Sequence, residues 1–296
     1  MKEIFCFVLS LIFMSQAHAS SNDQNFTPIK MYPDVIYGID NRLDIFESSD
    51  SLMKKMARST AAQILNDKLI VESDSYIVKA PTLAEDGKCM SERFSHQKIA
   101  ANCSAFLISA DTLVTAGHCI EKTADCQDHV WVFDYANTSE EKSNFIFSKD
   151  QVYHCVKVIA REKDYTTLND FAVIKLDRPV PGRTPFQYRK KGKVADDAVL
   201  TVLGYPSGLP LKITTGANMR DNTNPVFFQT NADTYGGNSG SAVVDSRTAI
   251  VEGVLVRGDE DYDQKESERC QKSVRRDYYG GRGEDATRIT NIEAIQ

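Results

Sequence analysis

The sequence predicts an all-β protein, and two observations lead to this prediction. From about Gln63 onward, short apolar or alternating runs are separated by Gly, Pro, Asn and Asp, which is typical of short strands joined by turns. The runs of this kind are Leu69 to Val71, Ala105 to Ser109, Val130 to Phe133, Val152 to Ile159, Ala172 to Leu176, Val199 to Gly204, Ala242 to Val244 and Ile250 to Val256. The chain of 296 residues is also long for a single core, and this length suits two packed subdomains. We therefore expect a β-barrel or β-sandwich built in two parts.

The first 19 residues have the features of a secretory signal peptide. Lys2 supplies a positive n-region, Ile4 to Met14 is an apolar stretch too short to span a bilayer, and Ala17-His18-Ala19 has the form of a cleavage site. An uncleaved anchor helix, which is the alternative, requires a longer apolar run and a stronger basic flank. We expect a secreted protein, extracellular or periplasmic, with no membrane contact once residues 1–19 are removed.

The segment after the signal peptide has little structural patterning of its own. Residues 20–34 are polar and without periodicity, which indicates a pro-segment or a loose tail. The folded part is predicted to cover residues 35–296, and Ser49 to Met56 carries the capping residues of a short helix.

Charge and cysteine content narrow the class of protein further. The formal charge of −6 argues against a nucleic-acid-binding surface. Removal of the signal peptide also removes Cys6, and an even number of cysteines in an exported chain predicts disulfides. The cysteines that remain are Cys89, Cys103, Cys119, Cys126, Cys155 and Cys270. Zinc is the competing interpretation, but no C-x-x-C pair is present, so we expect neither a metal site nor a cofactor.

Three short stretches contain the residue types of a nucleophilic triad. They are Thr115-Ala116-Gly117-His118-Cys119, Asn169-Asp170-Phe171-Ala172-Val173-Ile174-Lys175-Leu176 and Gly236-Gly237-Asn238-Ser239-Gly240-Ser241. A serine hydroxyl needs an adjacent base at neutral pH, and His118 at the end of an apolar strand is the candidate. Asp170 precedes an apolar run and needs a partner, because a buried unpaired carboxylate is costly. Accepting the Nδ1–H of His118 would satisfy Asp170 and fix the tautomer whose Nε2 faces the serine.

Ser239 is the candidate nucleophile because glycines surround it. Gly236 and Gly237 permit a tight turn that directs successive backbone N–H groups to one point. The N–H groups of Gly237 and Ser239 therefore form the predicted oxyanion hole. Ser241 is the rival nucleophile, but it continues into an apolar strand, and we expect its hydroxyl to be bonded internally. Taken singly, the three motifs also fit a core histidine, a turn aspartate and a glycine-rich hairpin.

Together, in the chain order His, Asp, Ser, the motifs resemble those of the trypsin-like serine peptidases. The resemblance implies two packed six-stranded antiparallel β-barrels of the chymotrypsin type, with an active-site cleft between them. It implies that His118, Asp170 and Ser239 are catalytic and that peptide bonds are cleaved through an acyl-enzyme. Arg178-Pro179-Val180-Pro181-Gly182 is the candidate linker, which assigns about residues 60–180 to the first barrel and 181–296 to the second.

Several segments resemble the bacterial glutamyl-endopeptidase-like branch of this family in particular. They are Val35 to Arg42, Gly204 to Gly208 and Asp233 to Gly240, where Asn238 replaces the aspartate found before the nucleophile in digestive members. The resemblance covers about Val35 to Gly258, and the charged tail beyond it has no assignment.

The same resemblance suggests one cysteine pair, and nearness in sequence suggests the other two. Cys103 and Cys119 are similar to the disulfide that brackets the histidine strand in many members of the family. Cys126 and Cys155 are the next nearest in sequence, which leaves Cys89 for Cys270.

Two substrate preferences stay open. Asp233 lies six residues before Ser239, where trypsin-like enzymes place the carboxylate that binds Lys or Arg, and Thr234 follows it. Glutamyl endopeptidases have a similar Asp-Thr-Tyr-Gly-Gly run, and here Arg257 is the residue able to bind an acidic side chain. We expect a monomeric serine endopeptidase that cleaves proteins or peptides after Lys or Arg, with cleavage after Glu or Asp as the alternative.

Two further alternatives belong to other functional classes. A non-catalytic binding protein of this fold usually lacks a triad or oxyanion residue, and none is missing here. An esterase or lipase places its histidine last in chain order, whereas His118 comes first.

Overall fold

The structure is a computed structural model, and it describes residues 36–122, 124–140, 144–264 and 269–296. The strands of the first half are β1 (Ile36–Tyr37), β2 (Arg42–Asp44), β3 (Thr60–Leu65), β4 (Leu69–Glu72), β5 (Ser75–Val78), β6 (Ala101–Leu107), β7 (Thr112–Thr115), β8 (His129–Phe133), β9 (Ile146–Ser148), β10 (Val152–Lys163) and β11 (Asp170–Leu176). Those of the second half are β12 (Val199–Gly204), β13 (Lys212–Asp221), β14 (Phe227–Thr230), β15 (Ala242–Asp245), β16 (Val251–Arg257), β17 (Tyr262–Asp263), β18 (Lys272–Ser273), β19 (Arg275–Arg276) and β20 (Glu284–Arg288). The predicted signal peptide, the predicted pro-segment and Val35 lie outside the described residues.

Helices are short. They are α1 (Ser51–Ala57), α2 (Asp125–Asp128) and 3₁₀ turns at Asn66–Lys68, Gly117–Cys119, Lys149–Gln151, Pro206–Gly208, Ile289–Asn291 and Glu293–Ile295. The predicted helix near Ser49 corresponds to α1, where the Asp50 side chain accepts a hydrogen bond from the Met53 amide at 3.0 Å. This N-cap satisfies one of the unpaired amides at the start of the helix. Within the described part of the chain, every helix is too short or too polar to cross a membrane.

The first barrel closes on itself in the order β10-β11-β7-β6-β3-β8, with every pair antiparallel. Its interior is apolar, as the strand alternation predicts. The buried side chains that fill it include Leu107, Leu113, Trp131, Phe133, Tyr153 and Ile174. Burial of these large side chains, at about 1.5–3 kcal/mol each, is the main stabilising contribution to this half of the molecule.

The second barrel has the order β12-β15-β16-β20-β14-β13 and closes through the pairing of β13 with β12. Its ladders are also antiparallel, and β2 from the N-terminal region extends the sheet beside β13. Leu200, Val202, Phe228, Val243 and Leu255 are among the residues buried inside it. The predicted fold class, all-β with two six-stranded antiparallel barrels, is thereby confirmed.

The charged tail after Gly258, which had no assignment from the sequence, belongs to the second barrel and its surface. β20 lies between β16 and β14 and is required to close the barrel. β17 pairs with β18, and β19 runs parallel to β1 at the start of the described chain. The strands β4, β5 and β9 form a separate small antiparallel sheet.

The barrels are joined by residues 177–198, which contain the predicted linker and no strand or helix in the structure. The strands of the first barrel lie within residues 60–176 and those of the second within residues 199–288, apart from the added strand β2. The described residues form three disulfides, Cys103–Cys119, Cys126–Cys155 and Cys89–Cys270. The first is the pair that the resemblance suggested, and the other two are the pairs considered from nearness in sequence.

Candidate active site

The end of β7 places His118 beside the start of β11. After Thr115 the chain makes a 3₁₀ turn over Gly117–Cys119, and this turn approaches the neighbouring strands closely. A Cβ on Gly117 would lie 2.1 Å from the Glu162 carbonyl oxygen and 3.0 Å from Asp170 Oδ1. Only glycine permits this approach. Gly117 is therefore required for the turn that positions His118.

His118 and Asp170 form a two-point contact. The imidazole Nδ1 lies 2.8 Å from Asp170 Oδ2, and the His118 backbone amide donates to Asp170 Oδ1 at 3.1 Å. The Asp170 side chain is 6% exposed and that of His118 is 21% exposed, so the carboxylate is withdrawn from water while the ring reaches the surface. A carboxylate is acceptor-only, so we assign the proton to Nδ1, which leaves the Nε2 lone pair free to accept.

Two arginines hold the loops on either side of this pair. Arg161 Nε donates to the Gly117 carbonyl at 2.9 Å, which fixes the turn that carries the histidine. Arg257 Nη1 donates to the Leu168 carbonyl at 3.0 Å, two residues before Asp170. Both bonds restrict motion of the backbone next to the His–Asp pair.

Ser104 joins the serine loop of the second barrel to the histidine strand of the first. Its amide donates to the Ser239 carbonyl and its hydroxyl donates to the Gly237 carbonyl, both at 2.8 Å. Its own carbonyl accepts from Thr115 Oγ1 at 2.7 Å. The Ser239 carbonyl oxygen also lies 3.7 Å from the sulfur of Cys119, the residue after His118. The three predicted motifs therefore meet at one place between the barrels.

Close packing under the serine loop depends on two further glycines. A Cβ on Gly240, whose φ is +88°, would lie 2.1 Å from the Ser104 carbonyl oxygen. A Cβ on Gly204 would lie 1.8 Å from Ser241 Oγ. Ser241 is fully buried and its hydroxyl donates to Asn238 Oδ1 at 3.3 Å, whereas Ser239 is partly exposed. The rival serine is thus enclosed, as the sequence led us to expect.

The orientation of the predicted oxyanion amides follows from the carbonyls that precede them. The Gly236 carbonyl accepts from the Ser207 amide at 2.6 Å, and the Asn238 carbonyl accepts from the Ser241 amide at 2.8 Å. In a trans peptide the C=O and N–H groups point in opposite directions. The N–H groups of Gly237 and Ser239 are therefore directed away from these partners, and Gly237 adopts φ +95°, which glycine tolerates best.

Asp233 is buried, and its carboxylate accepts hydrogen bonds from two backbone amides. Its two oxygens accept from the amides of Tyr37 at 2.7 Å and Asn41 at 2.8 Å. Burial raises the pKa of this carboxyl to about 6, although the two amide donors act in the opposite direction. Asp233 thus attaches the N-terminal segment to the second barrel, and its predicted contact with a basic substrate stays a prediction.

The other two predicted substrate-binding residues are also engaged within the protein. Thr234 Oγ1 donates to Glu284 Oε2 at 2.7 Å, deep in the second barrel. Arg257 Nε donates to Asp285 Oδ2 at 2.7 Å, and the guanidinium lies over the Phe227 ring.

Among the described residues, one group beside the site has the spacing of metal ligands. The sulfurs of Cys103 and Cys119 lie close to His118, but they are bonded to each other and are not available as thiolate ligands.

Sequence reasoning missed Ser104 and Asp261, which contact the serine loop, and Tyr262, which contacts Ser207 beside it. Ser104 follows Cys103 in β6 and belongs to none of the three predicted motifs. Asp261 and Tyr262 lie in the unassigned tail, where Asp261 Oδ2 accepts from the Gly236 amide at 2.9 Å and Tyr262 Oη lies 2.6 Å from Ser207 Oγ. Their partners are 25 or more residues away in sequence. Local pattern therefore could not reveal them.

A two-barrel protein with a His–Asp pair on one barrel and a glycine-bounded serine on the other has the architecture of a serine peptidase. The sequence profile of a family described as a trypsin-like peptidase domain matches residues 103–253, just over half of the chain. No curated protein sequence matches significantly.

Solved structures provide a second comparison. VesB protease of Vibrio cholerae is 11% identical with a TM-score of 0.50, and the alignment covers 85% of this chain and 64% of VesB. A Glu endopeptidase in complex with MPD is 17% identical with a TM-score of 0.49, covering 88% of this chain and 97% of the other. A serine endoprotease of Yersinia pestis is 14% identical with a TM-score of 0.43, covering 69% and 55%. At these identities the likeness to VesB concerns the fold alone.

The chain belongs to the trypsin-like peptidase domain family. It is a serine endopeptidase, a hydrolase whose substrates are proteins or peptides. The family and the enzyme class predicted from the sequence are thereby confirmed.

Proposed function

We propose that peptide bonds are cleaved by acyl transfer through Ser239, His118 and Asp170. Ser239 Oγ attacks the substrate carbonyl while His118 Nε2 takes the hydroxyl proton and then delivers it to the leaving amine. Asp170 holds the ring and stabilises the imidazolium that forms. Water then attacks the acyl-enzyme by the same proton transfers, and the N–H groups of Gly237 and Ser239 bind the developing oxyanion.

The observation that carries this proposal is the two-point contact between Asp170 and His118. It fixes both the position and the tautomer of the ring, which is what a general base for a serine requires. The bonds from Ser104 to the serine loop support the same proposal, since they seat Ser239 against the histidine strand.

Single and double substitutions test the triad. Ser239→Ala and His118→Ala should each lower kcat by about 10⁴-fold or more, and the double variant should lose little further, because the residues act as a unit. His154→Ala, an exposed histidine on β10, is the matched control and should keep the parental kcat. Substantial turnover by folded Ser239→Ala contradicts the assignment.

We propose cleavage after Lys or Arg as the side-chain preference. Both oxygens of Asp233 accept from backbone amides, so the support is its position six residues before Ser239, where the resemblance places the carboxylate that binds Lys or Arg. Cleavage after Glu or Asp is the alternative, and it would require Arg257 to exchange its bond to Asp285 for a substrate carboxylate. Peptides that differ only in Arg, Lys, Glu or Ala before the scissile bond distinguish these preferences through kcat/KM.

We further propose that the enzyme acts outside the cytoplasm as residues 35–296, after loss of the signal peptide and of the segment 20–34. Three disulfides support an oxidising compartment. Ile36 is fully buried and Tyr37 is bonded to Asp233, which supports a mature chain that begins close to this point. N-terminal sequencing of the active enzyme is the direct test, and full activity of a form that begins at Ser20 contradicts removal of the pro-segment.

A further inference from the structure

The oxyanion-binding orientation of Gly237 depends on one peptide plane, that between Gly236 and Gly237. The Gly236 carbonyl accepts from the Ser207 amide, and the Gly237 N–H consequently points the other way. A flip of this plane would turn the N–H away from the substrate. Because two consecutive glycines offer little steric resistance to such a flip, other groups have to hold the plane.

In digestive relatives of this family an aspartate before the nucleophile orders this loop, and here Asn238 takes its place. The bonds that the structure forms to Gly236 come instead from Asp261 and Ser207, and Tyr262 contacts Ser207. Asp261 Oδ2 accepts from the Gly236 amide at 2.9 Å, so Gly236 is bonded through both its N–H and its carbonyl.

Tyr262 contacts Ser207, whose amide donates to the Gly236 carbonyl. Ser207 has φ +53° and ψ +20°, a left-handed conformation that a serine adopts at some cost. Its hydroxyl lies 2.6 Å from Tyr262 Oη, and this contact stabilises the conformation in which the Ser207 amide reaches Gly236. Ser207, Gly236, Gly237, Asp261 and Tyr262 also border one cavity of about 320 Å³.

The segment that carries the pair is itself anchored on two sides. The Asp261 carbonyl accepts from the Val274 amide at 2.9 Å, which connects it to the strand beside β1. The Tyr262 ring packs against Tyr235 with centroids 5.1 Å apart, and the Lys88 ammonium lies 4.9 Å from its centroid. Cys89, the residue after Lys88, forms a disulfide with Cys270.

We propose that Asp261 and Tyr262 are positioning residues that keep the Gly237 N–H in the orientation that binds the oxyanion. Asp261 fixes the adjoining Tyr235–Gly236 peptide through the Gly236 N–H, and Tyr262 fixes Ser207, whose amide donates to the carbonyl of the Gly236–Gly237 peptide. The proposal rests on the proposed catalytic mechanism. Loss of either group lowers transition-state stabilisation and leaves ground-state binding of the peptide nearly unchanged.

The test measures kcat and KM separately in three variants. Asp261→Ala removes the acceptor, Asp261→Asn keeps an acceptor oxygen without the charge, and Tyr262→Phe removes only the hydroxyl. We expect Asp261→Ala and Tyr262→Phe to lower kcat on the order of 10- to 100-fold with little change in KM, since the donor is misaligned and not deleted. Asp261→Asn should stay near the parent.

Two inhibitors distinguish a loss of oxyanion binding from a general structural defect. A peptide aldehyde forms a tetrahedral adduct with an oxyanion, so its inhibition constant should rise in parallel with the loss in kcat. A cleavage-product peptide of the same sequence has no such oxygen, and its inhibition constant should not change. Tyr188→Phe, which deletes another hydroxyl bonded to the Ile295 carbonyl, is the matched control and should behave as the parent.

Each other outcome overturns the proposal. If Asp261→Ala and Tyr262→Phe keep the parental kcat, the Gly236–Gly237 peptide keeps its orientation without these two side chains. If only KM rises, the two side chains bind substrate instead. A loss in Asp261→Asn equal to that in Asp261→Ala means that charge and not the acceptor bond matters. If Asp261→Ala does not fold, Tyr262→Phe decides. Ser239→Ala is measured in parallel: its retention of activity refutes the catalytic mechanism, whereas its inactivity beside fully active Tyr262→Phe refutes only the positioning role.

Discussion

Asp170→Asn is the substitution that most directly examines the proposed mechanism, because it preserves shape and changes only hydrogen-bonding capacity. In the structure Asp170 accepts two bonds, from the His118 amide at 3.1 Å and from Nδ1 at 2.8 Å. An asparagine has one oxygen and one NH₂ group, so it can accept only one of them.

Both placements of the asparagine amide impair the base. If its oxygen stays with the His118 backbone, the NH₂ group faces Nδ1 and moves the ring proton to Nε2, where His118 can no longer accept from Ser239. If the asparagine amide takes the opposite orientation, its NH₂ group faces the His118 backbone N–H. That leaves a buried donor unsatisfied, at a cost of about 1–3 kcal/mol. In either case the imidazolium loses its counter-charge. We expect kcat to fall about 10⁴-fold, equivalent to about 5 kcal/mol on the barrier.

The assay is hydrolysis of a fluorogenic peptide, with kcat and KM measured between pH 6 and 10 and folding checked by thermal denaturation. Asp177→Asn is the matched control, since Asp177 follows the same strand β11 that Asp170 begins and binds the His154 amide at 3.1 Å. This control should retain the parental kcat. A folded Asp170→Asn enzyme with activity within about tenfold of the parent would refute the reasoning, since the tautomer argument requires a loss of several orders of magnitude.

Three further outcomes are expected. A serine-directed phosphonate should label Ser239 and not the enclosed Ser241, as peptide mapping by mass spectrometry will reveal. Replacing Cys103 and Cys119 by serine should lower the free energy of unfolding by about 3 kcal/mol, since the bridge spans 16 residues. Burial raises the pKa of Asp233 from 3.8 to about 6, so the stability this group contributes is fully present below pH 4 and is lost as the pH rises through 6. Relative to Asp233→Asn, in an inactive Ser239→Ala background, denaturation should register a loss on the order of 2 kcal/mol between pH 4 and 6.

The parts of the fold that the sequence predicted are those whose signal is local. β8, β11 and β16 each contain an uninterrupted apolar run, at residues 130–133, 171–174 and 254–256, and a buried strand is the simplest structure for such a run. The histidine and serine motifs are equally local in sequence, although the contacts that require their glycines come from distant residues such as Glu162 and Ser104.

Strands that carry polar residues inward escaped prediction. β13 contains Lys212, which is fully buried and donates to Asp44 at 2.6 Å and Gln97 at 2.8 Å. Burial lowers the pKa of this lysine to about 8 even with Asp44 beside it. Asp44 and Gln97 lie 168 and 115 residues away from Lys212 in sequence. The sequence of β13 alone therefore indicates a solvent-exposed strand or loop. β3 presents the same difficulty through Gln63, whose amide donates to the Cys119 carbonyl at 2.9 Å.

The serine loop illustrates why local motifs identify a site without explaining its geometry. Gly237 and Ser239 could be named from their own sequence, yet the direction of their N–H groups is set by Ser207 and Ser241 through the preceding carbonyls. Ser104 uses its amide and hydroxyl to hold the carbonyls of Gly237 and Ser239, and this serine comes from the other barrel. Each of these bonds is worth only about 1 kcal/mol to stability. Their effect on catalysis is larger, because a donor rotated by one peptide flip contributes nothing to the transition state. The geometry of the loop therefore depends also on residues such as Ser104 and Ser207, which lie outside its motif.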